Sequence, residues 1–389
     1  MERRDFLSLT GTFTGGVLLL PNFLHAAVMR DALDRSGSKL VFVQLNGGND
    51  GLNTIVPFND PLYYKHRRTV AIKKNDVLRM NDEIGWHPAL KGLADIQQQG
   101  QLTLLQNVGY PNPIRSHFRS QEIWQTASGS GEYLDRGWLG RYLDIQCKEE
   151  QPTAAVNIDK ADNLALSGDR LNSITVPNPR LYRSNREEQA DNTLSINPQL
   201  DFVRRIARSS AKGAELIQAA LSRSTTTSQY PNTEIGRNLK WIARLIKGDL
   251  NSRIFYTSMT GFDTHDNQLV RHQRLMTQLS EAVTAFYSEL KEDKLINDTT
   301  IVIFSEFGRR VKDNGSGTDH GAAAPMMIIG GANKGNVLGE SPDLFHLDKG
   351  DLKFKIDFRD VYASLLADRM EMNPKTIGLN NKPLPGIFG

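Results

Sequence analysis

A single cysteine, Cys147, stands in 389 residues. An internal disulfide is therefore excluded in any compartment, and a lone thiol of this kind is expected to pack as a small, buried apolar side chain. Charge of one sign is scarce too: 47 Lys and Arg face 44 Asp and Glu, a formal net charge of +3, too slight for a nucleic-acid footprint. Internal repeats are absent, which removes solenoid and propeller arrays. The longest mildly apolar stretch, Leu9 to Leu24, carries Thr10, Gly11, Thr12, Thr14, Gly15 and Gly16, so it is too polar and too short for a bilayer span of about 20 apolar residues.

What that stretch does have is a preceding Arg3-Arg4 pair, the apolar pair Phe6-Leu7, and Ala26-Ala27 at its end. This is the layout of a targeting peptide. The adjacent arginines resemble the twin-arginine signal, whose export machinery carries proteins that have already folded. Residues 1–26 are accordingly set aside as a signal peptide, and the expected destination is the periplasm or cell envelope. About 360 residues remain, enough for one large domain.

The rest of the chain alternates strand and helix. Lys39 to Leu45 (KLVFVQL) reads as a buried strand ending in a polar, glycine-rich loop, Asn46 to Gly51. Pro88 to Gln98 has helical spacing behind a first-turn proline, Gln101 to Val108 alternates as a strand, and Ser116 to Thr126 begins with a favoured N-cap residue. Arg253 to Met259, a long amphipathic helix through Leu290, and Thr299 to Phe304 form a strand, helix, strand unit, which predicts a parallel pair and a right-handed crossover. Pro325 to Ile329 supplies another buried strand and Asp357 to Met370 another helix. The fold class is α/β, a mostly parallel central sheet flanked by helices. One domain is expected over 39–370, with 150–250 as an inserted helical and irregular elaboration and 371–389 as a C-terminal tail. The Ser-Thr run at 222–228 reads either as a mobile linker or as an ordinary surface loop.

In open α/β sheets ligands sit beyond the carboxyl ends of the strands. The residues following the apolar runs are unusually polar: Asn46 and Asp50, then Ser116 and His117, Asp263 and His265, Glu306 and Arg309, and finally Asp319 and His320 in a glycine-rich loop. Carboxylates and imidazoles delivered separately to one sheet edge suit a divalent cation. Asp263-Thr264-His265 is the best single candidate, with helix capping as its alternative. His320 lies between glycine-containing turns, and Asp319 either ligates or orients its neighbour's ring. A carboxylate at the tip of an apolar strand needs a cation or a donor, so Glu306 is expected either to ligate or to pair with Arg309. Asp50 is a ligand or a turn residue. Ser116, at a helix N-terminus, is the nucleophile candidate, because a nearby metal would lower its hydroxyl pKa. His117 and Arg115 flank it, and either could hold an oxyanion. His87 is expected to cap its helix, His272 to face the core, and His66 and His346 to lie in polar loops.

Six segments, Gln44–Asn53 (QLNGGNDGLN), Ser116–Trp124 (SHFRSQEIW), Gly137–Tyr142 (GWLGRY), Gly261–Gln268 (GFDTHDNQ), Ser305–Arg309 (SEFGR) and Gly317–Gly321 (GTDHG), resemble in order the bacterial domain-of-unknown-function family 1501. That family is similar in layout to the alkaline phosphatase-like superfamily, which includes sulfatases and cofactor-independent phosphoglycerate mutases. The resemblance implies Asn46 or Asp50 as first ligand and Ser116 as nucleophile. It places Asp263, His265 and His320 at one metal, and puts Glu306 where the superfamily has a strand-end Asp. The superfamily's Asp-His pair is here Glu306-Phe307, so one imidazole of a second site is missing, and Arg309 is a candidate for the missing positive charge. The expected activity is metal-dependent hydrolysis of a phosphate or sulfate ester, of a small molecule or a glycan, with one or two ions of zinc, calcium or magnesium. The alternative is a degenerate member that binds an anionic glycan or a protein partner without cleaving it.

Overall fold

β1 (Lys39–Leu45) shows in one strand why the sheet is covered on both sides. Leu40 and Phe42 enter one buried apolar cluster while Val41, Val43 and Leu45 enter another, as the two-residue period of a strand requires. A computed structural model describes residues 37–182 and 197–388; the twin arginines and the rest of the expected signal lie outside the described residues. Ser38–Gly389 forms one compact unit.

Around β1 stand β2 (Leu102–Gly109), β3 (Ala155–Asn157), β4 (Ser173–Thr175), β5 (Ile254–Met259), β6 (Thr299–Phe304), β7 (Ala324–Gly330), β8 (Val337–Leu338) and β9 (Ile356–Asp357). They form a nine-stranded sheet in the order β8-β2-β7-β6-β1-β5-β3-β4, with β9 also paired to β2. β5 and β6 are parallel, as their crossover predicts, but they are not neighbours: each pairs with β1, Val41 lying opposite both Phe255 and Ile301. β7 runs antiparallel to β6 and to β2. Two reversals restore direction, so β2 points the same way as β1, β5 and β6. The carboxyl ends of these four strands and the amino end of β7 therefore share one edge of the sheet.

One face carries α1 (Lys91–Gln98), α5 (Glu234–Lys247) and α6 (Gln268–Glu292), with Leu239, Ile242, Met276, Leu279 and Phe286 buried against it. The other carries α2 (His117–Thr126), α3 (Trp138–Gln146) and α7 (Phe358–Ser364), where Trp124 stacks on Phe304 and Phe358 at centroid distances of 5.1 and 4.2 Å. The helix expected over 357–370 ends as a π turn at Leu365–Arg369.

The 150–250 segment does more than cover the core. It extends the sheet with β3 and β4, and α4 (Pro198–Ser222) packs Ile217, Ala220 and Leu221 into the α5 and α6 side. The Ser-Thr run is tied down: the backbone N–H groups of Thr227 and Ser228 donate to the buried Glu289 carboxylate at 3.1 and 2.8 Å. Ile377, Leu379 and Ile387 of the C-terminal segment join the cluster under α2 and α3. Cys147 is buried. Among the described residues no helix is long and apolar enough to cross a membrane.

Candidate metal centre

The shared sheet edge gathers residues from five places. Asn46–Gly51 follows β1, Arg115–His117 leads from β2 into α2, Phe262–His265 follows β5, Ser305–Arg309 follows β6, and Asp319–His320 precedes β7. The turn after β1 must be glycine-rich, because a side chain has no room there. Gly47 has φ +120° and a Cβ would lie 2.4 Å from the Asp263 nitrogen; Gly48 has φ +76° and a Cβ would strike the Phe307 ring at 2.3 Å.

Three histidine rings each spend Nδ1 on an acceptor. His320 Nδ1 donates to the Arg115 carbonyl at 2.8 Å, His265 Nδ1 to Asp319 Oδ1 at 3.1 Å, and His117 Nδ1 to Glu306 Oε1 at 3.0 Å. A carbonyl or an ionised carboxylate only accepts, so Nδ1 carries a proton in each ring, and in a neutral ring Nε2 is the nitrogen with the lone pair. All three Nε2 atoms turn toward a single atom, Asp263 Oδ1, at 3.1 Å for His320, 3.0 Å for His265 and 3.5 Å for His117. Lone pairs aimed at a carboxylate oxygen repel it unless positive charge, as protons or a metal ion, lies among them. His117 Nε2 is buried with no hydrogen-bond partner. His117, Asp263 and His320 each offer a ligand atom within 4.8 Å of the others, forming a possible metal site.

The donor set can be tested against an ion. Zinc bonds of about 2.0–2.1 Å in a tetrahedron place ligand atoms roughly 3.3 Å apart; Asp263 Oδ1 lies 3.0 to 3.5 Å from the three Nε2 atoms, and His265 Nε2 lies 3.0 Å from His320 Nε2. Imidazole nitrogens with one carboxylate suit zinc or a similar borderline ion better than calcium or magnesium, which take oxygen ligands. Asp263 and His265 are about half exposed, so the centre is open to solvent on one side.

Arg309 closes the other side. Its fully buried guanidinium donates to the carbonyls of Gly48 (2.7 Å), Thr318 (2.8 Å), Phe262 (3.0 Å) and Gly47, and to Asp263 Oδ1 at 2.6 Å. Partial burial opposes the Asp263 charge, but the Arg309 and His320 hydrogen bonds outweigh it and hold the carboxyl well below the usual carboxylate range. The expected Glu306–Arg309 pair is thus corrected to Asp263–Arg309, and with nearly all its donors spent on the protein Arg309 has little left for a substrate oxyanion.

Glu306 is fully buried, its Oε1 accepting the Gly47 N–H at 2.8 Å; Ser305 Oγ lies 3.1 Å from its Oε2 but nearer the Leu45 carbonyl, at 2.7 Å. Asp50 lies elsewhere, in a buried ion pair with Arg67 at 2.6 Å, where it also caps the short helix Gly51–Thr54 and accepts from Gln268. It holds the turn and is not in the metal group. Asn46 Oδ1 is buried without a partner. Ser116 is exposed at the start of α2 and its side chain makes no capping bond. Asp319 is exposed and orients His265. Asp263 does not cap the following helix, which begins after Asn267.

Of the other histidines, His87 caps through Nδ1 to the Ala89 N–H at 3.1 Å, and His272 is buried against Asn49 at 2.9 Å. Burial lowers both, to about 3 and about 4. His66 ends the helix Pro61–His66 instead of lying in a loop, and His346 is exposed beside Asp343. Sequence reasoning missed Arg67 and Ser305, and noted Phe307 only as standing where the resemblance implies an imidazole. The Phe307 ring packs 5.0 Å from His117 and 4.9 Å from His320.

Residues 38–367 match the family described as "Protein of unknown function (DUF1501)". The chain belongs to this family. No curated protein matches it. Solved structures similar to this DUF1501 chain include Ps i-CgsB in complex with k-i-k-neocarrahexaose, at 12% identity and a TM-score of 0.43 over 89% of this chain and 75% of that one. The phosphonate monoester hydrolase of Agrobacterium radiobacter is similar at 9% identity and TM-score 0.41 over 89% and 76%. The PsFucS1 sulfatase from Pseudoalteromonas sp. is similar at 9% and 0.37 over 92% and 72%.

Proposed function

We propose that the chain is an exported, metal-dependent hydrolase of phosphate or sulfate esters, acting on a small-molecule or glycan ester and carried to the periplasm or cell envelope by the twin-arginine route. The observation that carries the reading is the convergence of three imidazole Nε2 atoms on Asp263 Oδ1 at 3.0 to 3.5 Å. His117, Asp263 and His320 would hold one ion, with His265 beside them. Zinc is the favoured ion of the three expected, because the donors are mainly nitrogen. Bound there, the ion would polarise the ester oxygen as a Lewis acid.

The protein's own groups supply the rest. Ser116 stands at the positive end of the ten-residue helix α2, where the dipole favours an oxyanion. Its Oγ would form a bond to phosphorus or sulfur as the leaving oxygen departs with the bonding electrons and takes up a proton, the hydroxyl proton passing to solvent. Water would then cleave the seryl ester and restore the hydroxyl. Metal analysis of the purified protein, followed by turnover of aryl phosphate and aryl sulfate esters by the wild type and Ser116→Ala, tests the reading. Bound zinc and a turnover abolished by Ser116→Ala are expected; metal-free protein, or turnover indifferent to Ser116→Ala, overturns it.

A second reading has one observation in its favour. Arg309, the cation nearest the ligands, is consumed by backbone carbonyls, and a chain that binds an anionic glycan or protein partner without hydrolysis needs no free oxyanion donor. It predicts a ligand-dependent rise in thermal stability that survives Ser116→Ala.

A further inference from the structure

We propose that Glu306 is a positioning residue and not a metal ligand: its buried carboxylate fixes the His117 ring so that Nε2 alone is left for the ion. The inference rests on the metal-centre reading above. Glu306 Oε1 receives the Gly47 N–H at 2.8 Å, His117 Nδ1 at 3.0 Å and Gln121 Nε2 at 3.4 Å, while Ser305 Oγ lies 3.1 Å from Oε2 with the Leu45 carbonyl nearer to it at 2.7 Å. One carboxylate oxygen has about two lone-pair sites, and three donors already face Oε1. Turning it onto an ion would strand the buried Gly47 N–H.

The opposite edge of the same imidazole is in the complementary state. His117 Nε2 is buried, has no hydrogen-bond partner, and lies 3.5 Å from Asp263 Oδ1. Phe307 packs against the His117 ring at 5.0 Å. A carboxylate on the far nitrogen of a ligating imidazole fixes its tautomer and makes the other nitrogen a better donor. Glu306 also links three elements, since it stands at the β6 tip and its partners come from the β1 turn and α2. Placement of the strand-end carboxylate therefore decides whether α2 delivers its histidine to the ion.

The test titrates zinc against a chromogenic chelator in the wild type and Glu306→Gln, with visible spectra of the cobalt-loaded proteins. A glutamine carboxamide can meet Nδ1 as donor or acceptor, so the tautomer is released. Zinc affinity about 10–100-fold weaker, with an unchanged cobalt band pattern, is expected. Unchanged affinity overturns the proposal, and so does a cobalt spectrum altered as by Asp263→Asn, which would mean direct ligation. Should Glu306→Gln fail to fold, nitrogen-15 NMR of the wild type decides: metal-free His117 must be protonated on Nδ1, and an Nε2-protonated ring overturns it. That measurement stands even if the wild type binds no zinc, the outcome that defeats the proposed function.

Discussion

Arg309 Nη2 donates to Asp263 Oδ1 at 2.6 Å, and through this contact a wholly buried guanidinium reaches the carboxylate on which three histidines converge. The same guanidinium satisfies the backbone carbonyls of Gly47, Gly48 and Thr318, and shares that of Phe262 with the Thr264 N–H. It joins the loops after β1 and β5 to the loop before β7, so the centre exists only once the chain has folded around it. Arg309→Met keeps the volume and removes every donor. Each stranded carbonyl costs about 1–3 kcal/mol, so the loss is expected to be about 3 kcal/mol or more, a large share of the roughly 5–15 kcal/mol available to a domain. Denaturant unfolding checks it; a loss under about 1 kcal/mol would mean that the clamp is dispensable.

Asp50 gives a prediction with a pH signature. Burial alone would raise its pKa, but the Arg67 charge and hydrogen bond outweigh burial and hold it below the ordinary carboxylate value. A carboxyl whose folded pKa is depressed contributes stability that is fully present above its unfolded pKa, near 3.9, and is lost as pH falls through the folded value. Asp50→Asn is expected to cost about 3–5 kcal/mol at neutral pH, because Arg67 is left buried without its counter-charge. The difference between wild type and variant should shrink below about pH 4. Melting curves from pH 7 to pH 3 read this directly, and a constant difference across that range would contradict it.

The same residue shows where the sequence was and was not legible. The elements read well because β1, β5 and β6 are continuous apolar runs and α6 keeps helical spacing through 25 residues. The sheet edge on which chemistry gathers followed from strand direction alone. Partners did not follow. Asp50 and Arg67 are 17 positions apart with a helix between them, and nothing local marks them as a pair. Glu306 and Arg309 are neighbours in sequence, which invited pairing, yet the chain turns between them and sends one to His117 and the other to Asp263. Proximity in sequence misleads when a tight loop separates side chains into different layers. His117 was legible as a site residue, but its part in the metal group needed the direction of each ring nitrogen, which only the hydrogen-bond partners reveal.

Gly48→Ala probes the loop that closes the site. The residue has φ +76°, and a methyl group would lie 2.3 Å from the Phe307 ring. Left-handed backbone costs a non-glycine residue about 1–2 kcal/mol, and overpacking typically adds about 1–3 kcal/mol. Phe307 must move, and His117 and His320, packed 5.0 and 4.9 Å from it, move with it. The variant is therefore expected to lose stability and zinc affinity together. Loss of stability with full zinc affinity would show that Phe307 does not hold the rings.

Asp319→Asn separates orientation from ligation at the open side of the centre. Asp319 is 58% exposed and touches the cluster only through His265 Nδ1 at 3.1 Å, so the fold should not notice its loss: exposed pairs contribute about 0–1 kcal/mol. The effect on the ion depends on whether His265 ligates. If it completes the set with His117, Asp263 and His320, freeing its ring weakens zinc binding by about 10-fold or more, as loss of an orienting partner does elsewhere, while His265→Ala weakens it further. If His265 stands aside, neither variant changes affinity and only His320→Ala does. Parallel zinc titrations of the three variants decide between a four-ligand centre and a three-ligand one. The distinction has a chemical consequence, because four protein ligands around zinc make the closed set typical of structural sites, whereas three leave a position for substrate.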